Sequence, residues 1–149
     1  MQRINVVLPD PEGPKTMVIP VNGTLSLTSR VNPEVKRVLH PALPSNPGYN
    51  LWKRDFSGAS GLFSFVLNEG YQRVALAAML DGLELYGMGA SWGGFESLII
   101  PASPKDYRTA TDWTDQGQVL RVHAGLEDID DLIGDLGAGL DRLTDISSI

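Results

Sequence analysis

The chain contains no cysteine, which removes disulfide frameworks, thiolate zinc sites, iron–sulfur clusters and cysteine nucleophiles together. Histidine is almost as scarce. Only His40 and His123 occur, and neither stands in an HExxH or paired-carboxylate setting, so no metal site is expected. No window approaches the ~18 uninterrupted apolar residues of a membrane-crossing helix. The start, MQRINVVLPDPEG, also lacks an apolar stretch of secretory length, so a cytoplasmic protein is expected. Positive charge is sparse as well: 12 Lys plus Arg face 18 Asp plus Glu, a formal charge of -6. The cations are scattered, and nucleic acid or an anionic membrane is not an expected partner, because phosphate binding relies on clustered Lys and Arg.

What is present suffices for one domain. A chain of 149 residues with 42% hydrophobic side chains can bury a single core. Residues 1–30 differ from the rest: Pro9, Pro11, Pro14 and Pro20 each fix φ and remove a donor, so no helix can run through them. Short strands are predicted at Ile4 to Leu8, Thr16 to Ile19 and, after a turn at Asn22-Gly23, Thr24 to Thr28. The stretch from Asn32-Pro33 through HPALPSNPGYN reads as an irregular connection, with His40 a loop residue.

Beyond it the pattern becomes regular. LFSFVL, Leu62 to Leu67, reads as a buried strand. Tyr71 to Leu83 reads as a helix with Tyr71, Val74, Ala78 and Leu80 on one side, ending near Gly82. Leu85 to Met88 and Ser97 to Ile100 read as strands, the second stopped by Pro101, and Ser103 to Gln116 as a polar loop. Val119 to Ala124 alternates, placing Val119, Arg121 and His123 on one face and Leu120, Val122 and Ala124 on the other. After Gly125, the steps of three and four from Leu126 through Leu143 mark an amphipathic final helix, with Glu127, Asp128, Asp130 and Asp131 as solvated charge at its positive end. These elements predict an α+β fold, a two-layer sandwich of a small, mostly antiparallel sheet covered by helices, with a long C-terminal helix.

Several chemistries are rejected. Gly13-Pro14-Lys15-Thr16 echoes a phosphate loop, but the glycine spacing is absent and Pro14 lacks the N–H a phosphate cradle uses. EDIDD lacks the oxygen spacing and glycine of a calcium loop. No serine stands in a GxSxG elbow, and no carboxylate pair suggests a glycosidase.

Three segments have more character than folding needs: WKRDFSGASGLFSF (Trp52 to Phe65), GASWGGFESLIIP (Gly89 to Pro101) and LRVHAGLEDIDDLI (Leu120 to Ile133). Glycines beside Trp92 allow close backbone approach, and the planar fork of a strand-borne Arg121 suits a carboxylate. In this order, together with NPEVKRVLHPAL from Asn32, they resemble the C-terminal small domain of the pyridoxal-phosphate enzymes of cysteine and methionine metabolism, most closely the cystathionine β-lyase branch. The resemblance runs from about Asn32 through Arg142. It implies a boundary, with residues 1–30 a divergent Pro-rich segment and residues 31–149 the small domain of a pyridoxal-phosphate-dependent lyase.

By the resemblance, Arg121 would pair with the substrate α-carboxylate, and Ser91 and Trp92 would help bind it. Ala90 stands where the family often has Tyr. The implied reaction is α,β-elimination of cystathionine to homocysteine, pyruvate and ammonia, as in methionine biosynthesis and transsulfuration. Pyridoxal phosphate is the cofactor of the complete enzyme. The family's Schiff-base lysine lies in a preceding large domain, and Lys15, Lys36, Lys53 and Lys105 do not match its Ser-x-x-Lys setting. The chain therefore reads as a truncated lyase that holds no cofactor covalently and is inactive alone. The other reading is a non-catalytic amino-acid-binding or subunit-association module, with self-association or pairing with an intact lyase subunit expected.

Overall fold

A computed structural model describes the backbone of residues 2–8 and 15–21 and the chain over residues 32–147. The first two segments are β1 (Gln2–Leu8) and β2 (Lys15–Val21), paired antiparallel with Gln2 opposite Val21 and Leu8 opposite Lys15. Two of the strands expected in the Pro-rich start are thus present. Those expected at Thr24 to Thr28 and the turn at Asn22-Gly23 lie outside the described residues.

The remaining elements run in order β3 (Val35–Leu39), α1 (Tyr49–Asp55), β4 (Leu62–Leu67), α2 (Arg73–Asp81), β5 (Gly87–Met88), β6 (Leu98–Ala102), α3 (Pro104–Tyr107), β7 (Val119–His123) and α4 (Ile129–Ser147). They form a five-stranded sheet in the order β3-β4-β7-β6-β5, antiparallel except for the short β5–β6 pair. The architecture is the expected α+β sandwich.

Register sorts the side chains into two faces. Phe65 lies opposite Leu120, and Val122 lies opposite both Phe63 and Ile99. These residues join Leu67, Ala75, Met79, Tyr86 and the α4 leucines Leu132, Leu136, Leu140 and Leu143 in one core. Burial of such side chains supplies ~1.5–3 kcal/mol each. The other face of the sheet carries Ser64, Val66, Val119, Arg121 and His123; Val66 and Val119 are buried there without belonging to that core. The alternation of VLRVH therefore turns an apolar set to the helices and leaves Arg121 and His123 on the opposite side.

Close approaches fix how α2 meets α4. A Cβ on Gly139 would come 2.8 Å from Leu83 Cδ2 and 3.5 Å from Met79 Cγ, so the small residue lets α2 and its C-terminal extension lie against α4. Gly82, where α2 ends, has ordinary backbone angles. The Arg142 side chain occupies the space a larger residue would take there, its Cζ 2.7 Å from where a Cβ would stand.

Four expectations need correction, and one helix stands where none was assigned. β3 forms inside the stretch expected to be irregular, because Val35 and Val38 reach the core while prolines only flank the strand. The first turn of the segment beginning at Trp52 belongs to α1, a helix with no buried residue. α2 buries Ala75, Met79 and Leu80, and Tyr71 packs against the core; of the expected side Leu80 and Tyr71 face inward, while Val74 is 59% exposed. β6 runs through Pro101 to Ala102; β5 reaches only as far as Ile99, so no donor is required of Pro101 on that side. The polar loop is interrupted by α3.

Candidate functional site

The candidate site is built where the C-terminal end of β7 meets the loop that enters β6. His123, the last residue of β7, pairs across the sheet with Leu98 on one side and Leu62 on the other. This register brings the loop of residues 89–97 alongside Arg121 and His123.

Ser97 locks the loop in place. It is buried at 1% exposure; its hydroxyl donates to Glu127 Oε2 at 2.7 Å and accepts from the Gly125 amide at 2.8 Å. Its own amide donates to Glu127 Oε1 at 2.9 Å, and the Leu126 amide donates to the Phe95 carbonyl at 2.8 Å. The approach is so tight that a Cβ on Gly125 would lie 2.2 Å from the Phe95 oxygen. Partial burial pushes the Glu127 carboxyl upward. The Ser97 hydroxyl and amide, Glu127's own amide and the charge of His123 outweigh that and hold it below its ordinary value.

Above this lock, Gly93 adopts φ 96°, a conformation open to glycine at little cost. The Gly93 amide donates to His123 Nε2 at 3.3 Å, and the same nitrogen lies 3.2 Å from the Gly94 carbonyl oxygen. The Trp92 ring meets the His123 ring edge-on, with centroids 6.4 Å apart. The Arg121 guanidinium lies over the Trp92 ring, 4.5 Å from its centroid, a cation–π stack that orients the cation without neutralising it. Among the described residues no carboxylate pairs with Arg121. A half-buried, stacked and unpaired guanidinium is suited to receive a carboxylate from outside the chain.

The predicted residues thus separate. Arg121 and Trp92 come together; Ser91, next to Trp92, is exposed and its hydroxyl has no hydrogen-bond partner among the described residues. The sequence reading placed Glu127 with solvated helix-start charges, but it is spent on Ser97. Asp128 plays the helix-start role, its Oδ1 accepting the Asp130 amide at 2.9 Å. The period-two pattern had put His123 beside Arg121. Its attachment to Gly93 depends on a partner thirty positions away, which local spacing does not reveal. His40 is in a loop as expected, yet buried at 2% exposure; Nδ1 accepts the Ala42 amide at 3.2 Å, and burial pushes the imidazole below its usual range. Among the described residues no cluster of His, Asp and Glu could hold a metal, and no helix is long and apolar enough to cross a membrane.

Two hollows lie elsewhere. One of about 210 Å³ is lined by Asn68, Tyr71, Lys105, Trp113 and Gln118. There Trp113 has Arg37 and Arg108 over its ring, at 5.5 Å and 5.7 Å. The other, about 400 Å³ and largely apolar, lies between α1 and the start of β4, beside His40, Trp52, Phe56 and Leu62.

Comparison with known proteins places these features in a family. The profile of the Cys/Met metabolism PLP-dependent enzymes matches residues 27–141. The chain is 51% identical over 117 residues to the cystathionine β-lyase of Salmonella typhimurium, covering 75% of this chain and 29% of that protein. It is 49% identical over 115 residues to the cystathionine β-lyase of Escherichia coli K12, again covering 75% and 29%. The crystal structure of cystathionine γ-synthase from Xanthomonas oryzae pv. oryzae in complex with cystathionine superposes with a TM-score of 0.60 at 34% identity, over 76% of this chain and 30% of that one. The chain therefore spans less than a third of the length of these relatives.

Proposed function

Because the chain belongs to the Cys/Met metabolism PLP-dependent enzyme family, we propose that it supplies the amino-acid-carboxylate clamp of a carbon–sulfur lyase acting on cystathionine. The observation that carries this reading is the unpaired Arg121 guanidinium held over the Trp92 ring at 4.5 Å. Arg121 receives the α-carboxylate in a bidentate pair, and Trp92 fixes the guanidinium plane that makes such a pair directional. Ser91 borders the clamp and contributes a hydroxyl or amide donor. In this reading residues 31–149 are the small domain and residues 1–30 a separate, divergent segment.

The described residues do not fit pyridoxal phosphate. An aldehyde is captured by an unprotonated amine, whereas Lys36 is bound by Glu69 at 3.1 Å and Asp115 at 3.4 Å. The Glu69 hydrogen bond, with Asp115 and despite some desolvation, pushes the Lys36 ammonium pKa up. Lys53 stands on the exposed α1, and Lys105 lines the Trp113 hollow. None is placed at the clamp by any contact. No chemical step is assigned to this chain: it recognises the carboxylate, and turnover belongs to the complete lyase. The same misfit favours a second reading, in which the chain binds amino acids or joins an intact lyase subunit without catalysis.

Titration calorimetry with L-cystathionine tests the clamp. Binding to the wild-type chain is expected to fall by roughly tenfold or more in Arg121→Ala, since a charge-assisted pair contributes ~1.5–3 kcal/mol. Equal affinities would remove the clamp. Added pyridoxal phosphate is expected to yield no pyruvate.

A further inference from the structure

The imidazole of His123 faces two backbone groups that it cannot serve at once. Nε2 lies 3.3 Å from the Gly93 nitrogen and 3.2 Å from the Gly94 carbonyl oxygen. A neutral ring with its proton on Nδ1 accepts the Gly93 N–H; a ring protonated at Nε2 has lost that lone pair and donates to Gly94 O instead. The two arrangements grip different peptides of one turn. That turn carries Trp92, and Trp92 carries Arg121.

We infer that His123 is a positioning residue of the carboxylate clamp: as a neutral acceptor of the Gly93 amide it holds the turn that sets Trp92 beneath Arg121. The inference rests on the reading of Arg121 as that clamp. Its structural basis is independent: the Gly93 amide bond and the edge-on contact with Trp92 both end on the same ring. His123 is 7% exposed, and protonation at Nε2 transfers its grip from Gly93 to Gly94. The charged groups near His123 are Arg121, two residues back on its own strand, and Glu127 on the turn that follows; the facing loop also carries the exposed Glu96. β4 and β6 place Leu62 and Leu98 directly beside it, with no titratable side chain at those positions.

The sign of the pH effect separates positioning from plain electrostatics. A positive charge on His123, close to Arg121, would by charge alone favour an incoming carboxylate. Positioning predicts the reverse: protonation releases Gly93, disturbs the stack and weakens binding.

The experiment combines ¹⁵N NMR of the labelled chain, which reads the protonation of the His123 ring directly over a pH series, with L-cystathionine titrations across the same series. The Gly93 and Gly94 amide signals are expected to move with the midpoint of the His123 ring nitrogens, and affinity to fall as the ring protonates. His123→Leu, which keeps an apolar side chain but no acceptor, is expected to weaken binding about fivefold, the scale of one hydrogen bond. His123→Gln, whose amide oxygen can accept the Gly93 N–H at any pH, is expected to restore affinity and abolish its pH dependence. Gly93 signals indifferent to His123 protonation, tighter binding in acid, or His123→Gln as weak as His123→Leu would each overturn the inference. Failure of the underlying clamp reads out separately, as Arg121→Ala binding L-cystathionine like the wild type while the Gly93 signals still follow His123.

Discussion

Gly125 is a residue whose identity the fold constrains directly. Its missing side chain leaves room for the Phe95 oxygen and the Glu96 carbonyl carbon, at 2.2 Å and 2.6 Å from where a Cβ would stand. Both neighbours are backbone, so neither can rotate away. Gly125→Ala is expected to destabilise the chain by roughly 2–4 kcal/mol through forced separation of the β7 turn from the loop, measured by urea unfolding. It is also expected to weaken carboxylate binding, because the same loop carries Trp92. Glu127 supplies a pH-dependent counterpart. Its carboxyl is held below its ordinary value in the fold, so its stabilising contribution is complete above the carboxyl's unfolded pKa and disappears as pH falls through the folded one. Glu127→Gln, which keeps the shape and loses the charge, is therefore expected to cost about 1 kcal/mol near neutrality. Thermal melts of the two proteins should converge in acid.

The elements differ in how plainly the sequence announces them. β4 was legible as a short apolar run with glycine and polar punctuation, β7 as an alternating one closed by Gly125, and the final helix because its leucines recur at steps of three and four. α1 was not: Tyr49–Asp55 buries no residue and so carries no apolar period to read. β3 was masked by its flanking prolines, and the exposure of Val74 on α2 by a composition so rich in Ala and Leu that several sides look alike. Within the site, Arg121 and Trp92 were legible as residue types in a recognisable order. The Ser97–Glu127 lock was not, because its thirty-residue separation is a product of sheet register. The legible α4 pattern has a direct energetic consequence. Leu136, fully buried between α2 and the sheet-side core, is expected to cost ~2–5 kcal/mol when truncated in Leu136→Ala, with the loss appearing as a lower denaturant midpoint at unchanged slope.

At the scale of the whole molecule, one face of the sheet is packed by helices and the other presents the clamp. Exposed apolar side chains include Phe95 on the loop beside the clamp, at 70% exposure, and Phe56 and Leu51 beside the apolar hollow at α1, at 63% and 57%. Exposed apolar surface of this kind favours association. In the proposed reading the clamp is half of a binding site: Arg121 and Trp92 would receive a carboxylate, while no lysine among the described residues is placed beside them by any contact. The most direct measurement of this account is a two-dimensional ¹H–¹⁵N spectrum of the chain titrated with L-cystathionine, following the Arg121 Nε–H and the Trp92 indole N–H. Both signals are predicted to shift together and to saturate at one concentration. Shifts confined to the groove beside Trp52 or the hollow beside Trp113, with Arg121 and Trp92 unmoved, would contradict it.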